Sequence, residues 1–136
     1  MVALSRTQQE ELESIRRRHG LRLILAFGSR VKGRVHDRSD LDIAVLASSR
    51  PESPSRFLWD LAPDLDGSFP EETVDVALLN GADPLLLGEV SARCQLLAGD
   101  PAEFQEFRIR AFKRRQDHRR WLELEALTNQ RRLAAL

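Results

Sequence analysis

Two aspartates, Asp40 and Asp42, flank Leu41 at the head of the apolar run "LDIAVL", and a third, Asp75, stands inside "TVDVALL". Successive side chains on a strand point to opposite faces, so Asp40 and Asp42 share a face, with Cα atoms roughly 6.5 to 7 Å apart. Unpaired carboxylates at the entrance of a buried strand repel one another and are poorly solvated. Magnesium, a hard cation that prefers oxygen ligands and keeps several waters, relieves both problems. Two such ions about 3.5 to 4 Å apart can be clamped by such a pair. If the strand bearing Asp75 lies beside the strand bearing Asp42, the three carboxylates converge. Upstream, Gly28-Ser29 follows a second apolar run and opens "SRVKG", which has the look of a short helix ended by Gly33. Glycine lets backbone approach a ligand closely, and the free amides of a helix start, with the Ser29 hydroxyl, donate to phosphate oxygens. One end of the segment suits phosphate and the other metal. A magnesium-bound nucleoside triphosphate satisfies both.

These residues need elements to hold them. "TQQEELESIRRRHG" carries Thr7 and Glu10 at capping-box spacing and ends in Gly20, predicting a helix over 7–19 with a left-handed C-cap. "LRLILAF", 21–27, is apolar and bounded by glycines, and reads as a buried strand; "SDLDIAVLA", 39–47, is a second. After the polar loop "SSRPESPS", "RFLWDLAPDL" reads as a helix that Pro63 shortens or kinks, with Trp59 in the core. "TVDVALL", 73–79, is a third strand. Asp83-Pro84 starts a helix running to about residue 93, "QLLA" is a fourth strand, and Asp100-Pro101 starts a last helix of some 30 residues. The order predicts an α/β fold, a small mixed sheet flanked by helices, with a long C-terminal helix.

Composition bounds what such a fold does. The chain has 136 residues, the length of one ordinary domain, which leaves little for a second, substrate-gripping domain. No apolar run approaches the length of a membrane span, and "MVALSRTQQEELES" lacks the layout of a signal peptide, so a cytoplasmic location is expected. Cys94 is the one cysteine, which excludes an internal disulfide; it reads as a small buried apolar residue. Lys plus Arg equals Asp plus Glu at 21 each, so the whole chain has no electrostatic preference for nucleic acid. Residues 102–136 are nevertheless basic, with nine cations against five anions.

Gly28-Ser29, ten further residues, then Asp40-Leu41-Asp42, with Asp75 on a later strand, resembles the nucleotidyltransferase superfamily typified by DNA polymerase beta. The fuller form "GSRVKGRVHDRSDLDIAVL", and "VDVALLNGADPLLLGEVSARCQLLAGD", are similar to the minimal nucleotidyltransferases (MNT), commonly antitoxins paired with an all-helical HEPN ribonuclease. The resemblance covers about residues 20–100 and implies a nucleotidyltransferase core over 1–101, with 102–136 a helix for packing or partner contact. It implies transfer of AMP from ATP to a hydroxyl, a tyrosine of the HEPN toxin in the MNT antitoxins. Asp40, Asp42 and Asp75 would then be catalytic and hold two Mg2+ ions, and Gly28, Ser29, Arg30 and Ser39 would bind nucleotide. One or two of Arg30, Lys32 and Arg38 would offset charge on the leaving pyrophosphate. The segment before the last helix departs from the family in having no aromatic in "CQLLAGD". The chain has no tyrosine, so a tyrosine acceptor must lie on another protein.

Plainer readings stand beside these. Asp40 and Asp42 could be surface residues at a strand entrance, Asp75 an Arg-paired structural residue, and Gly28-Ser29 a plain turn. His19, His36 and His118 show no metal spacing and read as surface or capping residues. The last helix mixes Phe104, Phe107, Phe112, Trp121 and leucines with arginines, which suits a helix that packs on the body and offers one apolar stripe to a partner better than one that binds RNA. Two rival functions follow: an antitoxin acting by contact alone through that helix, and a transferase for a small molecule such as an antibiotic. Activity of a triple Asp→Asn variant marks the first; labelling of an aminoglycoside without a protein partner marks the second.

Overall fold

The computed structural model describes residues 1–28, 31 and 40–135. Its elements are α1 (Arg6–Arg18), β1 (Leu21–Phe27), β2 (Leu41–Ala47), α2 (Pro54–Ser68), β3 (Val74–Leu78), α3 (Pro84–Ala92), β4 (Cys94–Gly99) and α4 (Pro101–Ala134). The expected α/β architecture is present, and the expected elements within the described residues fall close to their expected bounds; the short helix expected at "SRVKG" lies outside those residues. The four strands form one sheet in the order β3-β2-β1-β4. β1 is antiparallel to both β2 and β4, whereas β2 and β3 are parallel and joined through α2.

The sheet separates two apolar layers. Ile24, Ala26, Ile43 and Val45 pack against Leu12 and Ile15 of α1 and Leu61 and Leu65 of α2. On the opposite face Leu23, Leu25 and Ala44 meet Leu87 and Val90 of α3 and Phe104 and Phe107 of α4. The central strands are covered on both faces, which is why "LRLILAF" is almost continuously apolar rather than alternating. Asn80 fastens the far end of the parallel pair, its side chain accepting from the Ala47 N–H at 2.8 Å and donating to the Ala47 carbonyl at 3.0 Å.

Several local expectations are corrected. The helix α1 is capped by Ser5 with Gln8 in a reciprocal capping box, two residues before the expected Thr7 and Glu10. Gly20 does take the left-handed conformation, at φ 63°. Pro63 lies inside α2 without ending it. The carbonyl it deprives of an N–H partner is that of residue 59, four positions earlier. Trp59 itself is 81% exposed, not core. Leu61 and Leu65 take the inward face of α2, and Trp59 falls roughly opposite them at 3.6 residues per turn. Cys94 is only partly buried.

Only the first turns of α4 pack on the body, through Phe104, Phe107 and Ala111. Beyond them Phe112, Trp121, Leu122, Leu124, Leu127 and Leu133 are exposed. These side chains do not make the single stripe expected. At about 100° per residue Trp121, Leu124 and Leu127 lie on one side of the helix, and Leu122 and Leu133 on the other. Among the described residues no helix is long and apolar enough to cross a membrane.

Candidate active site

The parallel register sets Asp42 directly opposite Asp75, and the antiparallel register sets Asp42 opposite Phe27, the last residue of β1. Register partners project to the same face, so Asp42 and Asp75 emerge side by side at one end of the sheet, on the face covered by α3 and α4. Asp40 immediately precedes β2, and the Leu41 N–H donates to the Thr73 carbonyl at 2.8 Å, tying the two strand entrances together.

The three carboxylates differ in environment. Asp42 is half-buried, whereas Asp40 and Asp75 are exposed. Asp75 is exposed although Val74 and Val76 flank it, because β3 is an edge strand. Burial, and then the negative charges of Asp75, Asp40 and Glu89, hold the Asp42 carboxyl above the usual carboxylate range. Asp75 is raised too, by desolvation first and then by a hydrogen bond with Asp40 and that group's charge. Glu89 was not singled out from the sequence. Its signal is that it is the lone charged residue in the α3 segment "PLLLGEVSA".

Gly28 closes the site from the β1 side. Its φ is 79°, a conformation that L side chains rarely adopt. A Cβ built there would collide with the Asp42 Oδ2 atom. Glycine thus lets the chain lie flat against the carboxylate on leaving β1. Ser29, Arg30 and Ser39, and with them Lys32, Arg34 and Arg38, fall outside the described residues.

Among the described residues no group of three or more Asp, Glu, His or Cys forms a ready-made metal cage. The donors nevertheless suit magnesium. They are oxygens only, they carry one sign of charge, and the charges of Asp40 and Asp75 raise the proton affinity of Asp42, which a divalent cation reverses. Magnesium is ordinarily held by one or two carboxylates with water and substrate phosphates completing its shell, so an open carboxylate group is the arrangement expected.

Paired carboxylates at a strand entrance thus lie beside a glycine turn on a small mixed sheet. Residues 10–101 match the family described as polymerase beta, nucleotidyltransferase, and the chain belongs to that family. It is 33% identical over 90 residues to the protein adenylyltransferase MntA of Shewanella oneidensis, an overlap of 66% of this chain and 63% of that protein. The chain therefore spans under two thirds of the length of that curated relative. Its fold is similar to a chain of a toxin–antitoxin crystallised with AMP-PNP, with a TM-score of 0.67 at 27% identity over 90% of this chain and 96% of the other. It also resembles in fold a chain from the complex of tri-AMPylated Shewanella oneidensis HEPN toxin with MNT antitoxin, with a TM-score of 0.63 at 23% identity over 91% and 95% of the two chains.

Proposed function

We propose that this chain is a magnesium-dependent protein adenylyltransferase that moves AMP from ATP to a hydroxyl of a HEPN-type toxin, most readily a tyrosine, and so acts as its antitoxin. The observation that carries the reading is the register of Asp42 against Asp75, with Gly28 pressed on the Asp42 carboxylate. The similarity to MntA, named a protein adenylyltransferase, supports the reaction class. The solved complexes support the substrate and the kind of partner.

In this scheme the acceptor oxygen forms a bond to the α-phosphorus, the bond from that phosphorus to the bridging oxygen of the β-phosphate breaks, and pyrophosphate leaves. Asp40, Asp42 and Asp75 hold Mg2+, two ions in the full site, which when bound neutralises the phosphates and polarises the α-phosphoryl group. Asp75, open to solvent on the edge strand, takes the acceptor's proton. Gly28 and Ser29 bind the β- and γ-phosphates through backbone amides and hydroxyl. Arg30 and Ser39 complete the nucleotide contacts. Residues 1–101 form the catalytic core, and 102–136 hold the partner. The protein works in the cytoplasm, where ATP and such a toxin meet.

The test is incubation of the protein, its co-purifying partner, Mg2+ and ATP labelled at the α-phosphate. Label on the partner and none on this chain, lost with Asp42→Asn, is the expected result. Undiminished labelling by the folded Asp42→Asn variant would overturn the assignment.

A further inference from the structure

A second concavity lies on the same face of the sheet as the carboxylates, at its other end. Leu46, which lines it, is four residues beyond Asp42 on β2, about 13 Å along the strand at roughly 3.3 Å per residue. The cavity is about 250 Å³ in volume. Its walls are Leu46 and Leu79 from the ends of β2 and β3, Leu87 of α3, and Phe107 and Ala111 of α4.

The mouth is polar and unevenly charged. Arg22 pairs with Glu103 at 3.5 Å, and Arg110 with Glu106 at 3.3 Å, so each glutamate there is matched. Arg114 also lines the mouth, and the Arg50 guanidinium lies over Gly81 at its edge, where a Cβ would come within 2.9 Å of it. Among the described residues neither Arg114 nor Arg50 has an ion-pair partner, so the mouth carries two surplus cations. Well-packed interiors leave few voids larger than water. Apolar walls with a few polar groups at the opening are the usual make-up of a small-molecule site, and this volume, just under the usual range, sets the size of the occupant.

We propose that this cleft binds a small amphipathic anion, an aryl or short acyl carboxylate whose apolar body enters between the sheet and α4 and whose charge meets Arg114 and Arg50. The site is separate from the nucleotide site. It draws on no residue of that site, so it stands whether or not the chain transfers AMP.

The experiment uses the full chain, 15N-labelled, titrated with sodium 2-naphthoate and, in parallel, with the uncharged 2-naphthalenemethanol. Chemical-shift changes are expected at the amides of Asn80, Gly81, Leu87 and Ala111, with the carboxylate binding more tightly than the alcohol. Arg114→Gln should weaken the carboxylate about fivefold, the worth of one exposed charge contact, and leave the alcohol unaffected. Leu46→Trp, which fills the cleft from the sheet side, should abolish both. Arg114 is at the surface, so its variant remains decisive if Leu46→Trp fails to fold. Shifts confined to the far half of α4, equal affinity for the alcohol, or displacement by MgATP would each overturn the proposal, the last because the cleft would then be part of the nucleotide site.

Discussion

Gly28 and Asp42 are in contact where β1 ends and β2 begins, and the contact exists only because residue 28 has no side chain. A methyl group there meets the Asp42 carboxylate on a backbone already at φ 79°. Gly28→Ala should therefore cost about 1 to 2 kcal/mol in stability, read by urea denaturation, from the left-handed conformation alone. It should also push Asp42 out of register with Asp75, so that adenylylation falls by about a hundredfold or more. Wild-type activity in Gly28→Ala would remove the close approach from the mechanism.

Without a divalent cation the carboxylates oppose folding. Asp42 and Asp75 have folded-state values above their unfolded ones, so their contribution to stability is most favourable below the ordinary carboxylate range and is lost as pH rises through the raised values. In chelator at pH 7, Asp42→Asn/Asp75→Asn should melt above wild type, and the difference should shrink as pH falls below the ordinary carboxylate range. Saturating Mg2+ should reverse the order, raising wild type by about 10 °C at a hundredfold excess over Kd and leaving the double variant unmoved. Calorimetric melts at two pH values, with and without Mg2+, check both signs.

Glu13 titrates in the opposite sense. Its carboxylate pairs with Arg16 at 2.9 Å and accepts from the Gly99 N–H at 3.1 Å, joining α1 to the end of β4. The hydrogen bond to Arg16 comes first among the causes that hold its value low, ahead of the Gly99 amide. A lowered carboxyl contributes stability above its unfolded value and loses it as pH falls through the folded one. Glu13→Ala should cost about 1 kcal/mol at pH 7 and progressively less in acid, measured by urea denaturation across pH.

Much of this was legible in the residues. The apolar run 21–27 between two glycines admits few readings other than a buried strand, and Asp-Pro pairs at 83–84 and 100–101 mark the two helix starts. The spacing of Gly28, Asp40 and Asp42 marks the candidate site in the chain itself. What the sequence withheld was set by neighbours distant along the chain. Ser5 and Thr7 both offer capping spacing, and the contact of the Gln8 side chain with the Ser68 carbonyl favours the first. Asp75 looks buried among valines until the strand order puts β3 at an edge. Glu89 reaches the site from α3 only because that helix crosses the carboxylate-bearing face, which no local pattern encodes.

The projecting part of α4 should be separable from the fold and necessary for partner binding. Residues 117–135 include none that is buried, whereas Arg115, whose side chain covers Gly88, lies before the cut. Isolated helical segments of this length are marginal in water, and this one exposes Trp121, Leu124 and Leu127 on one side with Leu122 and Leu133 on the other. A helix apolar on opposite sides is satisfied when more than one element of a partner encloses it, rather than by a single groove. Removing residues 117–136 should leave the melting temperature and MgATP binding of the body near wild type. The same truncation should weaken capture of the proposed toxin partner by at least about a hundredfold, the scale of losing a few large apolar anchors. Trp121→Ala/Leu124→Ala and Leu122→Ala/Leu133→Ala should each reproduce part of that loss in a pull-down or calorimetric titration. If one pair accounts for all of it and the other for none, the partner covers a single side of the helix.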